Sequence, residues 1–116
     1  MTVFAQTAGQ RSLATVSLTD GNEVDLITVS TGETATLESV IACNTSGAGR
    51  TFNLSISVKG SAYSVTFEKD VAADDFFHLK DHNLPIAPES ILRVQADAAG
   101  IDVTAVYILN HSGKKG

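Results

Sequence analysis

The chain has no tryptophan, one cysteine and two prolines, and it sets 8 Lys and Arg against 13 Asp and Glu in 116 residues. Each shortage closes off a reading. With no Trp, and Tyr63 and Tyr107 as the only tyrosines, there is little to build the aromatic platform on which a sugar ring stacks. A lone Cys43 excludes an intramolecular disulfide, and its apolar surroundings fit a buried, inert thiol. A net charge of −5 leaves no basic stripe to neutralise phosphates, so nucleic acid is not expected as a partner. No apolar run approaches the roughly 18 residues of a membrane-spanning helix. The opening MTVFAQTAGQRSLATVSL lacks the basic and apolar regions of a secretory leader. No membrane partner is expected.

Charged residues are also scarce, at 18%, while hydrophobic residues reach an ordinary 43%. A surface of Ser, Thr, Asn and Ala suits a protein packed against neighbours. The length fits one domain that buries roughly two-thirds of its unfolded surface.

What is present is a period of two. Phe52, Leu54, Ile56 and Val58 alternate with Thr51, Asn53, Ser55 and Ser57, the pattern of a half-buried strand. Tyr63, Val65 and Phe67 repeat it after Lys59-Gly60-Ser61, which predicts a hairpin. In Thr34–Asn44, Leu37, Ile41 and Cys43 fall on one face and Val40 and Ala42 on the other, as in a central strand covered on both sides. Weaker strands are predicted over Ser12–Leu18 and Val24–Val29, around a Thr19-Asp20-Gly21-Asn22 turn whose Asp-Gly step tolerates positive φ. Further strands are predicted over Phe76–Leu79, Ile91–Ala96 and Asp102–Leu109, with Asp97–Gly100 a turn and Pro85 and Pro88 in a connection. Val71–Asp75 is long enough for one helical turn at most. Seven or eight strands with turn chemistry between them predict an all-β fold, a two-sheet antiparallel β-sandwich of jelly-roll type without substantial helix. Residues 1–25 are expected to form an arm and a first weak strand, 26–110 the sandwich core and 111–116 a flexible tail.

Two segments invite a chemical reading. Gly47-Ala48-Gly49-Arg50-Thr51 looks like a phosphate loop, but a glycine is missing at Asn44, Arg50 replaces the lysine, and a strand pattern follows where a helix is required. A turn is predicted instead, its glycines at positive φ and Asn44 and Ser46 bonding local backbone. The other segment, DDFFHLKDH, holds Asp74, Asp75, His78, Asp81 and His82. His78, His82 and Asp81 are the candidate metal ligands, yet in a strand the two imidazoles share a face roughly 13 Å apart. A solvated loop held by two partly buried aromatics fits better, and no metal or other cofactor is expected. There is no G-x-S-x-G elbow and no His beside Cys43 to activate it, so no catalytic residue is assigned and no enzymatic activity is expected. The N-x-S/T sequons at Asn44, Asn53 and Asn110 are read as chance in a Ser- and Thr-rich chain.

Gly32-Glu33-Thr34-Ala35 introduces an apolar strand ending in Cys43-Asn44-Thr45-Ser46, and Ile91-Leu92-Arg93-Val94-Gln95-Ala96 precedes a valine-rich closing strand. Over Leu26–Leu109 this pattern resembles a group of small all-β structural proteins of tailed bacteriophages. Pro88-Glu89-Ser90 departs from it, at a place where a Gly-Asp turn is more usual. The resemblance implies a virion component, a symmetric homo-oligomer (a trimer or a ring) that decorates or cements the head or builds the neck or tail. Its partners would be its own copies and other virion proteins, such as the major capsid protein. Phe4, Arg11 and Arg50 are then the candidate inter-subunit contacts. The competing expectations are a receptor- or glycan-binding module using the DDFFHLKDH segment with or without Ca²⁺, and, more remotely, an enzyme using His78 or His82.

Overall fold

The computed structural model describes residues 10–111, apart from the side chains of Gln10, Phe67, Asp81 and His82. Eight strands follow one another: β1 (Gln10–Leu18), β2 (Val24–Val29), β3 (Glu33–Asn44), β4 (Arg50–Val58), β5 (Ser61–Val71), β6 (Phe76–Ile86), β7 (Ser90–Ala96) and β8 (Ile101–His111). They form two four-stranded sheets in the orders β1-β8-β3-β6 and β2-β7-β4-β5, every pair antiparallel. This wrapped connectivity is a jelly roll, so the sandwich expected from the period is what forms.

The inward faces meet in one core. Leu37, Val40, Ala42, Val103 and Ala105 of the first sheet oppose Ile27, Phe52, Leu54, Leu92 and Val94 of the second, all nearly inaccessible. Phe52 and Phe77 join the layers with ring centroids 6.2 Å apart. Burying each Val, Leu, Ile or Phe side chain among them stabilises the fold by about 1.5–3 kcal/mol relative to exposure.

Several local expectations need correction. Glu38 is an extra residue opposite β8, where the register shifts between Leu37 and Ser39, whereas on its other side the extra residues belong to β6, which advances from Leu84 to Lys80 over the same step. The bulge returns Val40 and Ala42 to the buried face of Leu37, whereas Ile41 and Cys43 point outward and are half-buried. β3 is central as expected, but its faces are sorted by a bulge and not by strict alternation. Phe76–Leu79 extends into an 11-residue edge strand that includes Pro85, where a missing N–H is tolerated. Phe77 is half-buried, but Phe76 is 60% exposed, so only one aromatic anchors this segment. Thr19–Asn22 carries the chain from one sheet to the other and Gly21 keeps an ordinary φ. β1 also pairs along its whole length with β8, and its Leu18 enters the core. The hairpin over β4 and β5 forms as expected. Lys59 and Gly60 take φ of 49° and 91°, which a two-residue turn matching strand twist requires.

Four sheet-to-sheet connections gather at one end, and Asn44 organises them. Its side chain is buried and its Nδ2 donates to the carbonyls of Ala48 (2.8 Å), Val71 (3.0 Å) and Ala72 (3.2 Å). Its Oδ1 accepts from Ser46 N (2.9 Å) and Ser46 Oγ (2.7 Å). The β3–β4 loop is therefore a side-chain-directed turn, with Asn44 and Ser46 bonding local backbone as expected. Gly47 and Gly49, by contrast, do not adopt positive φ. Positive φ is used at Gly100 (φ 122°), where a Cβ would stand 2.6 Å from Ser46 Cβ. Replacing Asn44 with Ala strands buried carbonyls, so thermal unfolding should show a loss of about 2–3 kcal/mol and a Tm roughly 10 °C lower. Asn44→Asp, which removes the donors while keeping the shape, should cost at least as much.

Candidate interaction surface

A sandwich has two outer faces, and here they differ in chemistry. On the β2-β7-β4-β5 sheet, Arg93 lies beside Asp25 at 2.8 Å and Glu23 at 3.8 Å. Ser55 Oγ donates to Glu23 (3.3 Å) and Gln95 Nε2 to the Gly21 carbonyl (2.8 Å). A shallow hollow of about 350 Å³ between Asn53, Glu68, Gln95 and Asp97 sits on this face. Two of its acceptors are engaged within the chain: Asn53 Oδ1 accepts from Glu68 N, and Asp97 Oδ1 accepts from Thr51 N at 3.0 Å. This is a polar, solvated surface with Arg93 paired at its centre.

The outer face of the β1-β8-β3-β6 sheet is different. Its register sets Leu13 beside Val106, Arg11 beside Ile108, and Thr15 beside Thr104 and then Ile41. Val106, Ile108 and Ile41 are half-buried by their neighbours alone, and Leu13 is 68% exposed. The middle of the face is thus apolar and Thr-rich around Leu13, Val106 and Ile41. Exposed apolar patches of this kind mark contact surfaces more often than solvated ones.

One ion pair braces that face. Arg11 of β1 reaches across β8 to Glu38, the bulge residue of β3, with Nε–Oε1 at 2.7 Å and Nη2–Oε2 at 3.2 Å. The hydrogen bonds and charge of Arg11 hold the Glu38 carboxyl below its ordinary value, and Glu38 raises the guanidinium in turn. Period-two reading missed Glu38, although the signal was there. Leu37 and Val40 stand three apart, a spacing that one strand face accommodates only with an inserted residue.

The predicted site residues do not converge. Arg11 is on the apolar face, far along β1 from the loop end. Arg50 lies at that end, where its Nε donates to the Ala99 carbonyl (2.7 Å) and its Nη1 to that of Gly49 (3.0 Å), so two donors are spent within the chain. Phe4 lies outside the described residues. His78 is exposed on the outer face beside Ile41. The side chains of Asp81 and His82 lie outside the described residues. Among the described residues no three metal-ligating side chains come together. No helix is long and apolar enough to cross a membrane.

No protein-family model and no curated protein matches the sequence. Solved structures are similar at low identity. The crystal structure of PirA is similar with a TM-score of 0.51 at 18% identity, over 84% of this chain and 92% of that one. The CBM22–GH10 modules of a Clostridium thermocellum xylanase complexed with xylohexaose give 0.45 at 15%, over 91% of this chain and 25% of that one. The nucleoplasmin-like N-terminal domain of Drosophila FKBP39 gives 0.44 at 13%, over 97% and 99%. These likenesses bear on fold alone, since one sandwich architecture hosts many functions.

The lowered Glu38 value sets a sign for acid stability. A native carboxyl below its ordinary 4.5 contributes stability above that value and loses it as pH falls through the native value. The difference in Tm between wild type and Glu38→Gln should therefore shrink as pH is lowered from about 6 to about 3. A constant difference would show that the ion pair does not contribute.

Proposed function

We propose that the chain is a non-enzymatic structural protein of a bacteriophage virion, a jelly-roll module that assembles with its own copies and with other virion proteins. Its place is on the head, as decoration or cement, or in the neck or tail. The observation that carries the reading is the contrast between the outer faces: one is polar and solvated, the other apolar, Thr-rich and exposed at Leu13 and Phe76. The apolar part of that face, around Leu13, Val106 and Ile41, can be covered with little ionic desolvation. Many modest contacts of this kind hold a symmetric particle through multivalency. The bacteriophage assignment is supported by the resemblance over Leu26–Leu109. Its motifs fall on the turn into β3, the Asn44-centred end of β3, and β7, all structural positions and none a site of chemistry.

Imaging particles with and without the protein should reveal a density that disappears with it. Val106→Glu, on the apolar face, should unfold within about 1 kcal/mol of wild type yet fail to join particles. A protein that binds glycans in a screen and has no affinity for particles would overturn the reading in favour of a receptor-binding module.

A further inference from the structure

An open sandwich has four sheet edges, each a row of unpaired N–H and C=O groups that would template pairing unless guarded. Three of the four carry guards. β2 is six residues long, with Asp25 and a register shift between Asp25 and Ile27. β5 has two register shifts, Glu68 at φ 49° and the run Glu68-Lys69-Asp70. β6 has Lys80, Pro85, Asn83 at φ 42° and a register shift opposite the Glu38 bulge.

Among the described residues, β1 has no such guard. Its nine residues, QRSLATVSL, hold an unbroken register against β8 from Gln10↔Leu109 to Leu18↔Ile101, with no Gly, no Pro and no bulge. Its single charge, Arg11, is turned over the sheet face and neutralised by Glu38.

We propose that β1 is a strand-addition edge and that its occupant is β1 of a second copy, paired antiparallel about a two-fold axis. This rests on the self-assembly reading above and specifies its geometry. The sequence of β1 suits itself. A two-fold centred on a residue pairs residues that share a face, and the longest overlap of Gln10–Leu18 with itself places it near the middle of the strand, on Leu13 or Ala14, which sets Leu13 against Leu13 or Thr15 of the other copy. Arg11 then meets Thr15 or Ser17 across the pair, so no like charges are opposed. The two sheets become one of eight strands, and the apolar strips around Leu13 and Val106 join across the axis. Such an isologous contact consumes the edge and closes, which explains how a flat edge is kept without open-ended aggregation. It favours assemblies built from dimers over a simple trimer.

The test is sedimentation velocity over a concentration series for wild type, for Leu13→Lys/Thr15→Lys, and for Tyr63→Lys on the guarded β5 edge, with circular dichroism and Tm as controls for folding. Leu13 and Thr15 are exposed and outward, so the double variant should keep the wild-type spectrum while its self-association weakens at least about 100-fold. Tyr63→Lys should associate as wild type does. Association unchanged in the double variant would overturn the β1 edge and leave self-assembly standing. A wild type that stays monomeric throughout would overturn both.

Discussion

Backbone hydrogen bonding is the constraint on which the rest of this molecule depends. Two open sheets satisfy their inner strands automatically and leave two problems: the connections that cross between sheets at one end, and the edges. Asn44 solves the first. A single buried carboxamide supplies donors to three carbonyls from two separate connections and an acceptor to Ser46. The backbone N–H of the same residue donates to the Asp75 carbonyl at 2.8 Å. Around it, Thr45 and Gly100, Gly100 and Leu18, and Asp97 and Thr51 are joined by further main-chain bonds. The loop end is therefore a cap cross-braced around the buried Asn44 side chain.

The edges are handled unevenly, and that unevenness gives the molecule a direction. Bulges, charges, a proline and left-handed residues interrupt β2, β5 and β6. β1 is left regular, and it borders the apolar outer face. A contact made there would engage a main-chain ladder and a hydrophobic strip together. The opposite face, with Arg93 between two carboxylates, is suited to remain in water.

Much of this architecture was legible in the sequence because alternation in a strand is dictated by geometry. All eight strands were marked by it or by the turns between them, and the hairpin at Lys59-Gly60 was fixed by turn chemistry. The failures share a cause. Alternation assumes that no residue is inserted, so the bulge at Glu38 reversed the assignment of Val40 and Ala42 and hid the partner of Arg11. Glycines in the β3–β4 loop suggested positive φ, but the asparagine side chain shapes that turn instead. Neither outer face was legible, because which strands lie side by side depends on long-range pairing that a one-dimensional pattern does not encode. Arg11 gains its place beside Ile108 and Glu38 only through β8.

The proposed self-contact runs through β1. Amide hydrogen exchange followed by mass spectrometry at low and high protein concentration tests this most directly. Alternate amides of residues 10–18 should exchange more slowly as concentration rises, while the edges at β2, β5 and β6 keep their rates. Exchange in β1 that is independent of concentration, or protection that develops at another edge, would contradict it.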